Sequence, residues 1–241
     1  MIRKLKAIPT GQIKLLIFDL DGTLVDSQID LANAINYMLR QYRRPELPVD
    51  IVAGYIGDGA NMLVRRSLGD PQDENFVREA YDTFVKFYRE HALDHTCVYP
   101  GVMDALRAIR AAANGRLQMA VLTNKPVRPS ERIVKGLGLD DLFVRVYGGN
   151  SFETKKPDPL GALNLLRETA TEPAEAVMIG DSQNDVLTAR NAGMWSVGVT
   201  YGFSPDSLQA NPPDVLIDSP HELAAALGYA EERHGVPFLG A

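Results

Sequence analysis

The hydrophobic positions divide the chain into short continuous apolar runs and longer stretches with an apolar residue every three or four positions. The runs are typical of strands buried on both faces of a parallel sheet, and the spaced patterns predict helices. The predicted strands are residues 15–18, 117–122, 144–147, 176–179, 197–200 and 215–217. The predicted helices of this part are residues 102–109, 130–137, 160–166, 186–191 and 221–227. This alternation predicts an α/β fold, a doubly wound, Rossmann-like parallel sheet with helices on its faces.

The segment after the first predicted strand has helical spacing alone. Ser27 is a suitable N-cap for a helix with apolar residues at three- and four-residue spacing. Two further helical patterns cover residues 61–68 and 76–88. We therefore predict a small helical cap domain at residues 27–96, inserted into the α/β fold after the first strand.

Residues 1–26 and 97–241 would then form the α/β core on either side of the insertion. The two ends of this core lack hydrophobic periodicity. Because both contain glycine and proline, we expect residues 1–14 and 228–241 to pack loosely.

Two carboxylates follow the first predicted strand. Asp19 and Asp21 are two positions apart, so in an extended chain their side chains start on the same side. An acidic pair at the end of a buried strand is costly unless a cation neutralises it, and Mg²⁺ prefers such oxygen ligands. A solvated turn formed by Asp21 and Gly22 is the alternative.

Polar residues also follow the second and fourth predicted strands and precede a later helix. Thr123 and Asn124 offer hydroxyl and amide donors that suit phosphate oxygens, and Lys156 offers an ammonium group. Asp181 and Asp185 form a second acidic pair. Each feature alone also fits a turn, a surface loop or a helix cap. Because ligands bind at the carboxyl ends of strands in this fold class, we expect the groups to converge.

Composition narrows the class of protein. A chain of 241 residues with 45% hydrophobic residues can bury one large core and a smaller satellite. A net charge of -6 without a long basic block argues against nucleic acid as a partner. The single cysteine, Cys97, excludes an internal disulfide, and no apolar stretch approaches the roughly 18 residues of a membrane span. We expect a cytoplasmic protein, monomeric or homodimeric, that acts on a small molecule.

The order of the motifs resembles a known family. Asp-Leu-Asp-Gly-Thr-Leu, Thr-Asn, Lys-Pro-Asp-Pro and Gly-Asp-Ser-x-x-Asp follow one another as in the haloacid dehalogenase superfamily of phosphohydrolases, and the resemblance covers nearly the whole chain. The helical insert is similar to the small cap domain of that family. Within the family, residues 57–66 and the Tyr201-Gly202-Phe203 turn look most like the bacterial phosphoglycolate phosphatases.

The resemblance implies a role for each acidic residue. Asp19 would be the nucleophile, and Asp21 would act first as general acid and then as general base. Mg²⁺ would be held by the carboxylates of Asp19 and Asp181 and the backbone carbonyl of Asp21. Asp185 would lie behind these ligands or bind through water. Lys156 would neutralise charge on the phosphoryl group.

The resemblance also implies how the cap would recognise the substrate. Gly57, Gly59 and Asn61 belong to the segment that would close over the part of the substrate beyond the phosphate. Arg65 or Arg66 would suit a second anionic group such as a carboxylate, because arginine can bind one through two hydrogen bonds. Both arginines equally fit a solvated helix surface.

The implied reaction is hydrolysis of 2-phosphoglycolate to glycolate and phosphate through an aspartyl-phosphate, with Thr123 and Asn124 holding the transferring phosphoryl group. The alternatives are a phosphatase for another small phosphometabolite or phosphosugar, and a sugar phosphomutase similar to β-phosphoglucomutase. A dehalogenase would not need the acidic residues that stand in metal-site positions. From a different class, a non-catalytic binding module could be built on the same fold.

Overall fold

The structure, a computed structural model, describes residues 2–229 of the chain. The predicted loose tail lies outside the described residues from residue 230 onward. The strands are β1 (Arg3–Lys4), β2 (Leu15–Phe18), β3 (Val25–Asp26), β4 (Cys97–Val98), β5 (Gln118–Leu122), β6 (Arg145–Tyr147), β7 (Ala176–Gly180), β8 (Trp195–Val199) and β9 (Val215–Ile217).

The helices fall into a group of four between β3 and β4 and a group that follows β4. The first group is α1 (Gln28–Gln41), α2 (Val49–Ala53), α3 (Ala60–Ser67) and α4 (Glu74–His91). The second group is α5 (Val102–Ala112), α6 (Val127–Gly136), α7 (Leu160–Glu168), α8 (Gln183–Ala192), α9 (Ser207–Ala210) and α10 (Leu223–Ala226). Within residues 2–229, no helix combines the length and the apolar character that a membrane span requires.

The main sheet confirms the predicted α/β fold class. Its strands lie in the order β1-β9-β8-β7-β2-β5-β6, and every neighbouring pair is parallel except β1 and β9. The chain runs from β2 outward to β5 and β6 on one side and returns to β7, β8 and β9 on the other. The strand order therefore reverses at β2, where such sheets bind their ligands.

Strand β2 is buried on both faces, which explains its continuous apolar run. Leu16 and Phe18 belong to the hydrophobic cluster on one face of the sheet. Leu15 and Ile17 point the other way, into the cluster that contains residues of α7 and α8. Because both faces are covered, each position of the strand is apolar, and polar side chains become possible only after Phe18.

The prediction that residues 1–14 pack loosely is wrong for residues 3–4, which form strand β1. Strand β1 pairs with β9 in antiparallel register, with Arg3 opposite Leu216, and Arg3 also forms a 2.6 Å ion pair with Asp218. Two exposed residues held at a sheet edge by backbone hydrogen bonds leave no hydrophobic pattern in the sequence. Periodicity therefore could not reveal this strand.

Helices α1 to α4 enclose a hydrophobic cluster of their own, and its buried residues all lie within residues 31–92. We call residues 28–91 the helical insert. Its two ends meet where β3 pairs with β4, with Val25 opposite Val98. The insert contains one helix that the sequence did not predict, α2, because five residues are too short to show a helical period. The division into a core and a cap domain stays a prediction.

Asp30, in the first turn of α1, connects the two ends of the insert. Its carboxylate is 1% exposed and accepts hydrogen bonds of 2.7–3.0 Å from the backbone and ring of His95 and from the backbone and hydroxyl of Thr96. Burial by itself would raise the pKa of Asp30, but these hydrogen bonds outweigh it and lower the pKa below its usual value. Ionised Asp30 thus stabilises the folded state above about pH 4, and this contribution is lost as the pH falls further.

We expect Asp30→Ala to lower the free energy of unfolding by about 2–4 kcal/mol at pH 7, because the buried backbone N–H and hydroxyl of Thr96 and the partly buried N–H of His95 lose their acceptor. For a chain of this length, each kcal/mol corresponds to roughly 2–4 °C in Tm. Thermal unfolding of both proteins should show the difference shrinking as the pH falls below about 4, where Asp30 of the unfolded chain starts to bind a proton while folded Asp30 still resists it. Asp50→Ala, at an exposed position of α2, is the matched control. A difference that is the same at pH 7 and pH 2.5 would contradict the role of the charge.

Candidate active site

A cavity of about 400 Å³ lies between the carboxyl edge of the sheet and the helical insert. Asp19 and Asp21, which follow β2, line it together with Thr123 and Asn124, which follow β5. From the insert, the walls are largely apolar, with residues of α3 and α4 such as Leu63, Phe84 and Tyr88. The cavity therefore lies at the point where the strand order reverses, which is where this sheet class binds ligands.

Asp19 is buried beside the ammonium group of Lys156. The Lys156 Nζ atom lies 2.9 Å from Asp19 Oδ1 and 2.5 Å from Asp185 Oδ1. Burial raises the pKa of Asp19 to about 6; Lys156 opposes this rise, whereas Asp185 and Asp21 add to it. Burial by itself would lower the pKa of Lys156, but Asp185 and Asp19 raise it, so the ammonium form is kept. Lys156 thus places a fixed positive charge next to Asp19.

Asp185 takes part in capping α8 and also contacts Lys156, while its predicted place behind the metal ligands stays a prediction. Its Oδ2 atom accepts hydrogen bonds from the backbone N–H and the hydroxyl of Ser182, which is the N-cap arrangement at the start of α8. Its Oδ1 atom binds Lys156. Helix capping therefore fixes the carboxylate that in turn fixes Lys156.

Asp181 follows β7 and is held by the loop that follows the neighbouring strand β8. Its Oδ2 atom accepts hydrogen bonds from the N–H groups of Phe203 at 2.7 Å and Ser204 at 3.2 Å. Burial raises the pKa of Asp181 to about 8, and the neighbouring Asp19 and Asp185 add to the rise. Gly22, with a φ of 81°, packs against this carboxylate, and a Cβ atom there would collide with it.

The carboxylates of Asp19, Asp181 and Asp185 offer oxygens that lie within 4.8 Å of one another, all of them buried. Lys156 is the ammonium group that contacts this trio, so negative charge remains in excess. The contact at Asp19 Oδ1 has the distance of an ion pair but not the alignment of a hydrogen bond, which leaves this buried oxygen without an aligned donor among the described residues. The donor set therefore fits a hard divalent cation such as Mg²⁺.

The Asp21 side chain points away from this trio and toward the insert. Its Oδ1 atom accepts a 2.6 Å hydrogen bond from the Ser27 hydroxyl. The Lys125 ammonium lies 2.9 Å from Asp21 Oδ1 and 3.1 Å from Oδ2, and it donates to the Tyr88 hydroxyl at 2.7 Å. The sequence analysis did not include Lys125 among the site residues, although it directly follows Thr123 and Asn124. The signal that could have identified Lys125 was its position just after the end of a predicted strand.

Thr123 and Asn124 both line the cavity, with different contacts. The Thr123 hydroxyl accepts a 3.3 Å hydrogen bond from the backbone N–H of Lys125. The Asn124 side-chain amide donates to the backbone carbonyls of Gly57 at 2.8 Å and Lys156 at 3.0 Å. Asn124 thus joins the loop of the insert to the loop that carries Lys156. Their predicted contact with a phosphoryl group stays a prediction.

Gly57 and Gly59 line the cavity, as the sequence led us to expect for this segment. The loop around them is docked on the core through Asp58, whose carboxylate accepts a 2.9 Å hydrogen bond from Asn184 and whose carbonyl oxygen accepts one from Lys155. At Gly59 a Cβ atom would approach the Asn124 carbonyl oxygen to 3.0 Å. Glycine therefore lets the insert backbone lie close to the core at the edge of the cavity.

The structure does not bring Asn61, Arg65 or Arg66 to the walls of the cavity. Helix α3 directs its apolar face, with Ala60 and Leu63, toward the cavity, so these polar positions face elsewhere. The Arg65 guanidinium donates to both carboxylate oxygens of Glu74 at 2.6 Å and to the carbonyl oxygen of Pro71 at 2.9 Å. Arg66 pairs with Asp58. Acidic partners within the insert thus engage the two arginines predicted to read a substrate carboxylate. Four other cations line the cavity: Arg89, Lys125, Arg128 and Arg132.

Buried carboxylates and a lysine thus lie at the switch point of an α/β sheet, beneath a helical insert. The sequence model of the haloacid dehalogenase-like hydrolase family matches residues 16–199. The chain belongs to this family, and the resemblance of its motifs is confirmed.

The names of individual relatives are narrower than the description of the family. The chain is 40% identical over 215 residues to a phosphoglycolate phosphatase of Chromobacterium violaceum, with 88% of this chain and 95% of that protein covered. It is 38% identical over 214 residues to a phosphoglycolate phosphatase of Psychrobacter arcticus, with 85% and 92% covered. Among solved structures, a predicted phosphoglycolate phosphatase of Haemophilus somnus superposes with a TM-score of 0.82 at 33% identity, covering 89% of this chain and 97% of the other.

Proposed function

We propose that the protein is a Mg²⁺-dependent phosphomonoesterase that hydrolyses 2-phosphoglycolate to glycolate and phosphate. The observation that carries this proposal is the buried Asp19 carboxylate, which lines the cavity, lies 2.9 Å from Lys156 and clusters with the carboxylates of Asp181 and Asp185. A nucleophile, a fixed positive charge and a cation site at one edge of the sheet are the parts that phosphoryl transfer requires. The names of the relatives support the substrate.

The first step forms a covalent intermediate. An Asp19 carboxylate oxygen attacks phosphorus, the ester P–O bond breaks, and the leaving oxygen takes a proton from Asp21. Asp19 and Asp181, with the backbone carbonyl of Asp21, would hold Mg²⁺, which supplies positive charge for the attack of one anion on another. Lys156 adds its own charge, since its Nζ atom is fixed between Asp19 and Asp185.

The second step regenerates the enzyme. Water attacks the phosphorus of the aspartyl-phosphate, its proton goes to Asp21, and the bond between phosphorus and the Asp19 oxygen breaks to release phosphate. Asp21 begins the cycle protonated and becomes a carboxylate when it gives its proton to the leaving oxygen. The Ser27 hydroxyl and the Lys125 ammonium, which contact Asp21, would stabilise that carboxylate. This is the form that the second step needs.

The insert would exclude bulk water from the reaction. Asn124, Asn184 and Lys155 of the core all bind the loop that contains Gly57 and Asp58. These contacts hold the insert over the strand ends. Exclusion of water strengthens the electrostatic interactions inside the site and prevents side reactions.

A phosphatase for a larger phosphometabolite is the second candidate, and the size of the cavity favours it. A volume of about 400 Å³ falls within the roughly 300–1,000 Å³ that is usual for sites enclosing a whole small molecule. The two-carbon acid of 2-phosphoglycolate would fill only part of this space. The substrate panel must therefore include phosphosugars and nucleotides.

We expect the kcat/KM for 2-phosphoglycolate to exceed those for glucose 6-phosphate and for nucleoside monophosphates by at least about tenfold, since a charged recognition group discriminates strongly. Phosphate release would be measured with Mg²⁺ for the whole panel side by side, with p-nitrophenyl phosphate as the general substrate. A preference for a hexose phosphate would favour the second candidate. Interconversion of glucose 1- and 6-phosphate without phosphate release would identify a mutase. If no substrate is turned over, the remaining alternative is a non-catalytic binding module.

A further inference from the structure

Lys125 is a buried cation to which the reaction described above gives no contact with the substrate. It lies three residues after β5, its side chain is 5% exposed, and it lines the cavity. Its ammonium contacts Asp21 of the core and the Tyr88 hydroxyl of α4. An ammonium has three N–H donors. The structure gives it three acceptors, Asp21 Oδ1 at 2.9 Å, Asp21 Oδ2 at 3.1 Å and the Tyr88 hydroxyl at 2.7 Å. A carboxylate in the cavity would replace the longest of these contacts, at Asp21 Oδ2, and leave the other two in place.

The other cations of the cavity are placed differently. Arg89, Arg128 and Arg132 are all exposed, so they lie at its mouth. The walls between the mouth and Asp21 are mostly apolar, and apolar walls cannot compensate for the desolvation of a carboxylate. A carboxylate bound deep in the cavity therefore needs Lys125.

Distance places Lys125 next to the leaving group. To protonate the leaving oxygen, Asp21 must lie within about 2.6–3.2 Å of it. Because Lys125 Nζ lies 2.9 Å from Asp21 Oδ1, it is within about 6 Å of that oxygen. In 2-phosphoglycolate a single methylene separates the leaving oxygen from the carboxylate. The carboxylate thus falls within reach of Lys125.

We propose that Lys125 is the specificity-determining residue that binds a carboxylate adjacent to the leaving oxygen, and that Tyr88 of the helical insert positions its ammonium. The proposal deepens the proposed function and rests on it. Since Tyr88 belongs to α4 and Lys125 to the core, recognition of the carboxylate depends on docking of the insert. Substrate specificity and closure of the site are then coupled through one hydrogen bond of 2.7 Å.

The test is the ratio of kcat/KM for 2-phosphoglycolate to that for ethyl phosphate, in which a methyl group replaces the carboxylate. We expect Lys125→Met to lower this ratio roughly 10- to 100-fold, as for a lost hydrogen bond to a charged group. Lys125→Arg should keep part of the ratio. Lys86→Met, an exposed lysine of α4 outside the cavity, is the matched control and should keep all of it.

Tyr88→Phe separates positioning from direct binding, because it removes only the hydroxyl. We expect this variant to raise the KM for 2-phosphoglycolate several-fold while the KM for ethyl phosphate changes little. Thermal unfolding would show whether Lys125→Met folds. If it does not, Tyr88→Phe still tests the proposal.

Equal losses on both substrates in Lys125→Met would mean that Lys125 only supports Asp21, and would overturn the proposal. The proposal would also be overturned if Arg128→Met or Arg132→Met lowers the ratio and Lys125→Met does not. If the wild type shows no preference for 2-phosphoglycolate, the proposed substrate is wrong. The ratio is then measured for 2-phospholactate against isopropyl phosphate: a preference that Lys125→Met removes supports the carboxylate site, and no preference for either carboxylate overturns it.

Discussion

Asp19→Asn is expected to lower kcat by about 10⁴-fold or more on every phosphomonoester, as removal of a covalent nucleophile does. The amide has nearly the shape of the carboxylate but lacks the anionic oxygen that attacks phosphorus. Burial raises the pKa of Asp19 to about 6, so ionisation of this carboxylate at neutral pH costs the folded protein stability, and a neutral amide avoids that cost. The fold should therefore keep its Tm in the variant, and Lys156 retains Asp185 as a partner.

Turnover of p-nitrophenyl phosphate and 2-phosphoglycolate, measured beside thermal unfolding, checks this expectation. Asp50→Asn makes the same chemical change at an exposed position of α2 and should keep wild-type activity. If Asp19→Asn retained a tenth of wild-type kcat on either substrate while folded, Asp19 would not be the nucleophile. A fall in Tm with activity retained would assign Asp19 a structural role instead.

Removal of divalent metal is expected to abolish activity and to lower Tm. The carboxylates of Asp19, Asp181 and Asp185 repel one another in a buried site, and a bound cation relieves that repulsion. Mg²⁺ at about 100 times its Kd would stabilise the folded state by about 2.7 kcal/mol, which corresponds to roughly 5–10 °C at this chain length. Ca²⁺ should bind without supporting turnover, because it prefers more ligands at longer distances.

Thermal unfolding with EDTA, Mg²⁺ or Ca²⁺ reads out binding independently of catalysis. We expect Asp181→Asn to lose most of the Tm rise on addition of Mg²⁺, and Asp50→Asn to keep it. Full activity after exhaustive chelation would exclude metal dependence. An undiminished Mg²⁺-dependent rise in Asp181→Asn would place the metal elsewhere.

Much of the fold was predictable because the apolar pattern of each buried strand or helix reflects which of its faces are buried. Strand β2 is apolar at every position since Leu16 and Phe18 face one cluster while Leu15 and Ile17 face the other. The edge strand β1 and the short helix α2 were missed. The first is held by backbone pairing and an exposed ion pair, and the second is too short for a period.

The candidate site also has a part that the sequence predicted and a part that only the structure revealed. The sequence by itself determined that Asp19, Asp181 and Lys156 stand at or after strand ends, and parallel strands bring their carboxyl ends to one edge. The tertiary structure decided which cation meets which carboxylate. Lys125 and Asp21 are 104 positions apart in the chain. Their pairing follows from the packing of β2, β5 and α4, which no local pattern encodes.

The same reason explains why Arg65 was a poor candidate for a substrate ligand. Its sequence neighbourhood fits a residue that binds an anion, and the structure supplies one within the insert, Glu74, at 2.6 Å. A guanidinium binds whichever carboxylate the fold presents, so its partner depends on the rotation of α3 and the position of α4. Local sequence therefore determines which chemical groups the site can use, and side-chain packing between distant elements determines which of them face the cavity.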